Sequence, residues 1–278
     1  MRSSWGTLPA VAGPEHPYLC GPYPRAYAHR GWHLGELAGM ENSLSALRRA
    51  VAEGYRYLET DVRATRDGVL VVQHDPTLQR TTDRTGTISE LDWAQVRGGR
   101  IGGREPVCRL EDLLEELPRT LLNIDVKAGD AVEPMLWLLR RTGAWDRVCL
   151  ASFSGARLQR LRRAAGERLL TSMGTASAAA LRLRSIICHP RELPWLPAPP
   201  VRGTLAQLPR YRWRLPVVDP ALIRCAHRLG REVHVWTIDR PDEMVELLEL
   251  GVDGLVTDRP DLLRDVLVKR GSWPGAGP

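Results

Sequence analysis

Tyr57-Leu58-Glu59-Thr60-Asp61-Val62 and Leu121-Leu122-Asn123-Ile124-Asp125-Val126-Lys127 are the stretches that decide the fold. Both are short apolar runs of strand length, interrupted by ionisable residues at alternate positions. Side chains of a strand alternate with period two, so Glu59 and Asp61 share one face, as do Asp125 and Lys127. Strands of a parallel barrel are buried on both faces and read as near-continuous apolar runs. Carboxylates near their ends therefore need a chemical reason.

Outward from these runs, strand and helix patterns alternate. The apolar run 26–28 ends in His29-Arg30-Gly31, and a helix pattern with its cap at Asn42 runs through Leu44, Leu47 and Val51 to a stop at Gly54. Further strand signals cover residues 57–62, 69–73, 121–126, 148–153, 169–173, 232–238 and 254–256. Helix patterns cover 131–141, 155–165, 220–229, 242–250 and 260–268. The polar, Gly-rich stretch 81–106 is too long for a plain connection and reads as an excursion over a barrel mouth. The pattern breaks between residues 174 and 216, a proline-rich segment expected to hold the sixth helix and irregular loops. Counted with 69–73 as the third strand and 169–173 as the sixth, eight strands predict an α/β chain folded as a TIM (β/α)8 barrel. The expected organisation is an N-terminal extension 1–25, one barrel domain 26–270 with a short insertion at about 81–106, and a frayed tail 271–278.

The 278 residues, 43% hydrophobic and 26% charged, exclude a disordered chain. The apolar stretch 135–139 is far short of the ~20 residues that span a bilayer, so no stable membrane insertion is expected. The N-terminus has no apolar region behind its single positive charge, which points away from a secretion signal and to the cytoplasm. Five cysteines, odd in number and without a C-x-x-C pair, argue against a disulfide framework or a zinc site. Net charge is +6, but the arginines read as spread over helix faces and not as interleaved with aromatics. The expectation is a general attraction for phosphate-bearing molecules and no nucleic-acid partner. Only Lys127 and Lys269 among 39 basic residues are lysine, which draws attention to Lys127.

Barrel active sites lie at the C-terminal ends of the strands, where His29, Glu59, Asp61, His74, Asp75, Asp125 and Lys127 all fall. Three carboxylates converging from neighbouring strands repel unless a cation neutralises them, and all-oxygen ligation suits Ca²⁺ or Mg²⁺. Glu59, Asp61 and Asp125 are the candidate ligands. Taken alone, such a pair on one strand would be structural roughly half the time, paired with rim arginines. His29 and His74 are candidates for base and acid, because a pKa near ~6.5 permits either role. A lone histidine is more often a satisfied core or surface group. His29, however, is followed by Arg30, whose fork matches phosphate oxygens, and by Gly31, which admits a ligand close to the backbone. His16, His33, His189, His227 and His234 lack such settings and read as structural.

His29-Arg30-Gly31, Glu41-Asn42, Glu59-Thr60-Asp61-Val62, Asp67-Gly68, His74-Asp75, Arg80-Thr81-Thr82, Leu122-Asn123-Ile124-Asp125-Val126-Lys127, Ser152-Phe153, Val235-Trp236-Thr237 and Gly254 through Asp258-Arg259-Pro260 resemble, in order, the motifs of the glycerophosphodiester phosphodiesterase family. The resemblance runs over residues 26–265. It implies a barrel of the phospholipase-C-like phosphodiesterase type that uses one divalent cation to hydrolyse a small-molecule glycerophosphodiester to glycerol-3-phosphate and an alcohol. By position, His29 and His74 match the catalytic histidines, and Glu59, Asp61 and Asp125 match the metal ligands. Arg30 and Lys127 match the phosphate-binding cations, and Trp236 matches an aromatic lining the substrate pocket, although an isolated strand tryptophan is more often core. The third ligand is typically Glu in the family. Asp125 is shorter by about 1.5 Å, which favours Ca²⁺ with its longer bonds over Mg²⁺. Met40 replaces a common proline, Asp239 replaces an asparagine, and the excursion after Thr82 is short for the family, which predicts an open mouth.

The implied reaction uses Arg30, Lys127 and the cation to hold the phosphodiester while the histidines move protons, His74 as the acid. A related phospholipase or lyase type acting on whole lipids, with a cyclic phosphate product, is the nearest alternative. It requires an exposed apolar rim, which no loop in the sequence declares. A non-catalytic phosphodiester-binding barrel is the alternative from another class.

Overall fold

The structure, a computed structural model, describes residues 16–187 and 200–273. The main sheet contains, in chain order, β1 Arg25–His29, β2 Tyr57–Ala64, β3 Leu70–Val72, β4 Leu121–Val126, β5 Val148–Ala151, β6 Leu170–Thr171, β7 Leu205–Pro209, β8 Glu232–Trp236 and β9 Gly254–Thr257. Parallel pairing gives the neighbour order β6-β5-β4-β2-β1-β9-β8-β7, and a parallel bridge between Ser172 and Leu205 joins the two ends. Eight staves thus make a nearly closed (β/α)8 barrel, as the alternation predicts.

One of the eight expected strands is replaced by another. Residues 70–72 are no stave: β3 folds back antiparallel on β2, with Val62 opposite Val72 and Ala64 opposite Leu70. The intervening Asp67-Gly68 is a hairpin signal, with Gly68 at φ 81°. A three-residue apolar run has the same appearance in a hairpin as in a barrel wall. The stave that takes its place is Leu205–Pro209, sixth in chain order and inside the stretch 174–216 where the pattern breaks. Gln207 and Pro209 mask its apolar signature. The helix expected to begin at Asn42 is Leu44–Ala52, capped by the Ser43 hydroxyl, which accepts from Ala46 N. Cys188 and His189, most of the N-terminal extension and most of the expected tail lie outside the described residues.

Period two divides the barrel wall into two packing systems. Outward residues such as Ala28, Leu58, Val62, Leu122, Ile124, Val126, Val148, Leu150, Val233, Val235 and Leu255 form one large core under the helices. Inward residues Tyr27, Tyr57, Leu121, Cys149, Leu170, Leu205 and Val256 fill the lower barrel. One inward step higher, apolar gives way to polar: His29, Glu59 and Asn123 lie in one register row, with Asp61 opposite Asp125 above it. The insertion has a core of its own. With the short helix Trp93–Val96 it builds a small core of Leu78, Ile88, Val96, Ile101 and Val107 around Val71 and Met40. Arg104 ties it to the first loop by donating to Glu36 O and Ala38 O.

The bottom is closed by the segment before β1. Tyr18 is fully buried, and its carbonyl accepts from Tyr57 Oη. Arg25, only 5% exposed, donates to the carbonyls of Leu19, Gly21 and Pro22 and forms a double hydrogen bond with Glu232, which also meets His234 Nε2 at 2.9 Å. Burial alone would raise the Glu232 pKa, but His234 and Arg25 outweigh it and bring it down to about 2.

A depressed carboxylate pKa stabilises the fold above the unfolded value, near ~4.3, and that contribution disappears as pH falls towards the folded value. Urea unfolding of the parent chain and Glu232→Gln should therefore show a stability gap that is full at pH 6 to 7 and narrows between about pH 4.5 and 2. A gap unchanged across that window contradicts the assignment. At the β6–β7 seam, Gly203 has φ 102°, and a Cβ there would stand 2.4 Å from Ser172 O. Gly203→Ala should cost at least ~1–3 kcal/mol of stability, read as a lower Tm.

Candidate active site

The inward residues at the C-terminal strand ends line one cavity of about 200 Å³. His29, Arg30, Glu59, Asp61, His74, Asp125, Lys127 and Trp236, the whole set singled out in the sequence, are among its walls. Three different pieces of backbone deliver them. Staves β1, β2, β4 and β8 carry His29, Glu59, Asp61, Asp125 and Trp236. Turns immediately after β1 and β4 carry Arg30 and Lys127, and the hairpin strand β3 leads to His74. Arg30 takes φ 55° and Gly31 φ 88°; a Cβ on Gly31 would meet the Ala46 backbone at 2.7 Å. The glycine thus lets the first loop turn tightly enough against helix Leu44–Ala52 to aim Arg30 inward.

Charge balance governs the site. Asp61 is 1% exposed, and Lys127 Nζ lies 2.7 Å from its Oδ1. Asn42 Nδ2 donates to Asp61 Oδ2 at 3.0 Å, and Thr60 in turn donates to Asn42 Oδ1. Arg30 Nε is also 3.0 Å from Asp61 Oδ2 but finds no hydrogen-bond partner, so that contact is coulombic. Burial pushes Asp61 upward, and Lys127 and Arg30 reverse it, leaving the carboxyl below the usual range. Lys127 Nζ equally reaches Asp125 Oδ2 at 2.7 Å. Burial wins at Asp125, whose pKa is raised despite Lys127.

Glu59 is the exception. Its Oε2 is buried without a hydrogen-bond partner, and His29 Nε2 stands 3.6 Å away, too far for a hydrogen bond. Burial first, and Asp61 second, raise its pKa to about 8. An orphan carboxylate oxygen beside two other carboxylates is what a cation-binding donor set looks like without its cation. The residues fit a hard divalent ion in chemistry and in number of oxygens. The site is not preformed, since Lys127 bridges Asp61 and Asp125 directly, and among the described residues no three His, Cys, Asp or Glu side chains stand arranged as a ligand set.

Both histidines are held the same way. His29 Nδ1 is 2.6 Å from Asp258 Oδ1, and His74 Nδ1 is 2.7 Å from Asp75 Oδ1. An aspartate on Nδ1 fixes the proton there and leaves Nε2 for the cavity. Burial lowers the His29 pKa, but Glu59 and Asp258 outweigh it, so the ring is more basic than usual. Asp75 is itself clamped by Arg80, whose fork also grips Glu41, and Glu41 accepts from Arg30. One ionic chain therefore runs from the His74 loop to Asp61.

Sequence reasoning missed Asp258 as a partner of His29, although the motif that carries it stands out. It also set His33 aside, yet His33 Nε2 lies 3.3 Å from the same Asp258 oxygen. The unusual Asp239 accepts from Thr257 Oγ1 and Asp258 N, so it shapes the turn that presents Asp258. Asn123 and Gln207 floor the cavity through a 2.9 Å hydrogen bond across the barrel. Trp236 is only half-buried: it packs on the inner barrel core and also meets the exposed Phe153 edge to face at 5.8 Å, forming an aromatic wall of the cavity.

Residues 29–262 match the Glycerophosphoryl diester phosphodiesterase family. A Mycobacterium tuberculosis protein named "Probable glycerophosphodiester phosphodiesterase 2" is 42% identical, over 90% of this chain and 93% of its own. The crystal structure of an Agrobacterium tumefaciens glycerophosphodiester phosphodiesterase superposes with a TM-score of 0.69 at 27% identity, covering 86% of this chain and 98% of that one. An Oleispira antarctica phosphodiesterase, solved with its product sn-glycerol-3-phosphate, shares the fold with a TM-score of 0.71 at 20% identity, over 88% of this chain and 97% of its own. With a family match across most of the barrel and a near full-length relative at this identity, the chain is a phosphoric diester hydrolase that belongs to the glycerophosphoryl diester phosphodiesterase family.

Proposed function

We propose that this chain hydrolyses small glycerophosphodiesters to glycerol-3-phosphate and an alcohol, in the cytoplasm, with one divalent cation, Ca²⁺ in preference to Mg²⁺. The observation that carries the reading is the convergence of two Nδ1-anchored imidazoles and an orphan buried carboxylate on one cavity with Arg30 and Lys127. Five of the family motifs supply those groups.

Glu59, Asp61 and Asp125 would hold the cation, with Lys127 turning from the two aspartates towards phosphate. Bound there, the cation supplies charge neutralisation and Lewis acidity at a non-bridging phosphate oxygen. Arg30 and Lys127 bind the remaining non-bridging oxygens and offset charge that develops on them. His29, made basic by Asp258, takes the proton from the attacking oxygen at Nε2. His74 delivers the proton from its Nε2 to the departing alkoxide as the phosphorus–oxygen bond breaks. Asp258 and Asp75 position the two rings. The attacking oxygen is that of water or of the substrate's own glycerol hydroxyl; in the second route a cyclic phosphate precedes glycerol-3-phosphate. Trp236 and Phe153 provide an apolar wall for the alcohol.

Release of glycerol-3-phosphate from glycerophosphocholine should fall about 10²-fold or more in His29→Ala and in His74→Ala. Chelation should abolish it, and Ca²⁺ should restore it better than Mg²⁺. Turnover by either histidine variant at the parent rate, or full activity in excess chelator, sinks the reading. Phosphorus NMR of the reaction in progress separates the two routes by the presence or absence of the cyclic species.

A further inference from the structure

Beyond the reaction, the barrel carries a surface that no step of catalysis uses. Immediately after β7, whose Gln207 floors the cavity, residues 211–216 form a small hairpin, with Tyr211 opposite Pro216 and Arg212 opposite Leu215. It therefore stands at the C-terminal end of the barrel, on the rim of the mouth. Its sequence, Arg210-Tyr211-Arg212-Trp213-Arg214-Leu215, interleaves arginine with large apolar residues, contrary to the expectation from sequence that no such interleaving exists. The hairpin also supplies the exposed apolar rim that the loops seemed to lack.

All six residues 211–216 are exposed, and Trp213 at its tip is 87% exposed with Leu215 at 68%. Trp213 also adopts φ 56°, a conformation a bulky side chain rarely takes. An indole held in water on a left-handed turn is unfavourable twice over within the monomer, in hydration and in backbone. Among the described residues the ring partner of Trp213 is the guanidinium of its own neighbour Arg212, 5.5 Å from its centroid. Arg210 is tied down by Glu243 and Glu246 of helix Pro241–Leu250, which anchors the base of the hairpin. Arg212 and Arg214 have no acidic partner among the described residues. From Val201 to Val218 the chain contains no Asp or Glu.

From this geometry we infer that the hairpin 211–216 is a docking element for an anionic phospholipid bilayer, holding the barrel mouth against the membrane surface. Trp and Tyr favour the headgroup level, where the ring is apolar and the N–H or O–H stays wet, and Leu215 enters the acyl boundary. Arg212 and Arg214 meet lipid phosphates, and the surface potential of an anionic leaflet adds to the attraction. The attachment is peripheral: among the described residues no helix is long and apolar enough to cross a membrane. Exposed Phe153 on the same mouth extends the apolar rim towards Trp236. The inference concerns binding alone and stands whether or not the proposed reaction is correct.

The test is co-sedimentation of the full chain with phosphatidylglycerol-containing vesicles and with pure phosphatidylcholine vesicles, alongside thermal melting of each variant. The parent chain should bind the anionic vesicles at least tenfold more tightly than the neutral ones, and less tightly as salt rises. Trp213→Ala with Leu215→Ala, and separately Arg212→Glu with Arg214→Glu, should each weaken binding at least tenfold without changing Tm or the hydrolysis of soluble glycerophosphocholine. No binding of the parent chain to anionic vesicles overturns the inference, as does equal binding by the variants. A parent chain that instead self-associates through Trp213, with no vesicle binding, assigns the hairpin to a second copy and equally overturns it.

Discussion

Three buried carboxylates and two fixed cations share one cavity, and the rest of the site is arranged around that imbalance. Asp61 is neutralised by Lys127 and Arg30, and Asp125 shares Lys127, but Glu59 is left over. Burial and the neighbouring Asp61 push the Glu59 pKa up, because like charges this close disfavour one another's ionisation. The same imbalance explains why His29, beside Glu59, is more basic than an ordinary histidine.

Holding such a site together requires rigid surroundings, which two devices supply. Below it, Tyr18, Tyr27 and Tyr57 fill the barrel, and Arg25 spends its donors on three carbonyls and Glu232. Around it, the chain of ion pairs from Asp75 through Arg80, Glu41 and Arg30 to Asp61 joins the His74 turn to the first and second staves. The small lobe after β3 packs on Met40 of the first loop, so the loop with Arg30 and the turn with His74 are braced against each other. Catalytic geometry depends on such support more than on the number of charged residues present.

At the outer edge the molecule changes character. The hairpin 211–216 combines exposed Trp213 and Leu215 with Arg212 and Arg214, which have no acidic partner among the described residues, on the same end of the barrel as the cavity.

Much was legible in the sequence because period-two alternation and buried charge leave a local trace. Glu59 with Asp61, and Asp125 with Lys127, could be placed on shared faces from spacing alone, and His29 and His74 stood out by their neighbours. The alternation of elements determined the barrel. Which short apolar runs are staves was decided only by pairing: residues 70–72 turned back on β2, while residues 205–209, broken by Gln207 and ended by Pro209, closed the ring. Likewise Asp258, 229 residues from His29 in the chain, became its partner only when β9 came to lie beside β1. Local pattern records which face a side chain takes; long-range partnership is fixed by strand register around a closed ring, which no stretch of sequence contains.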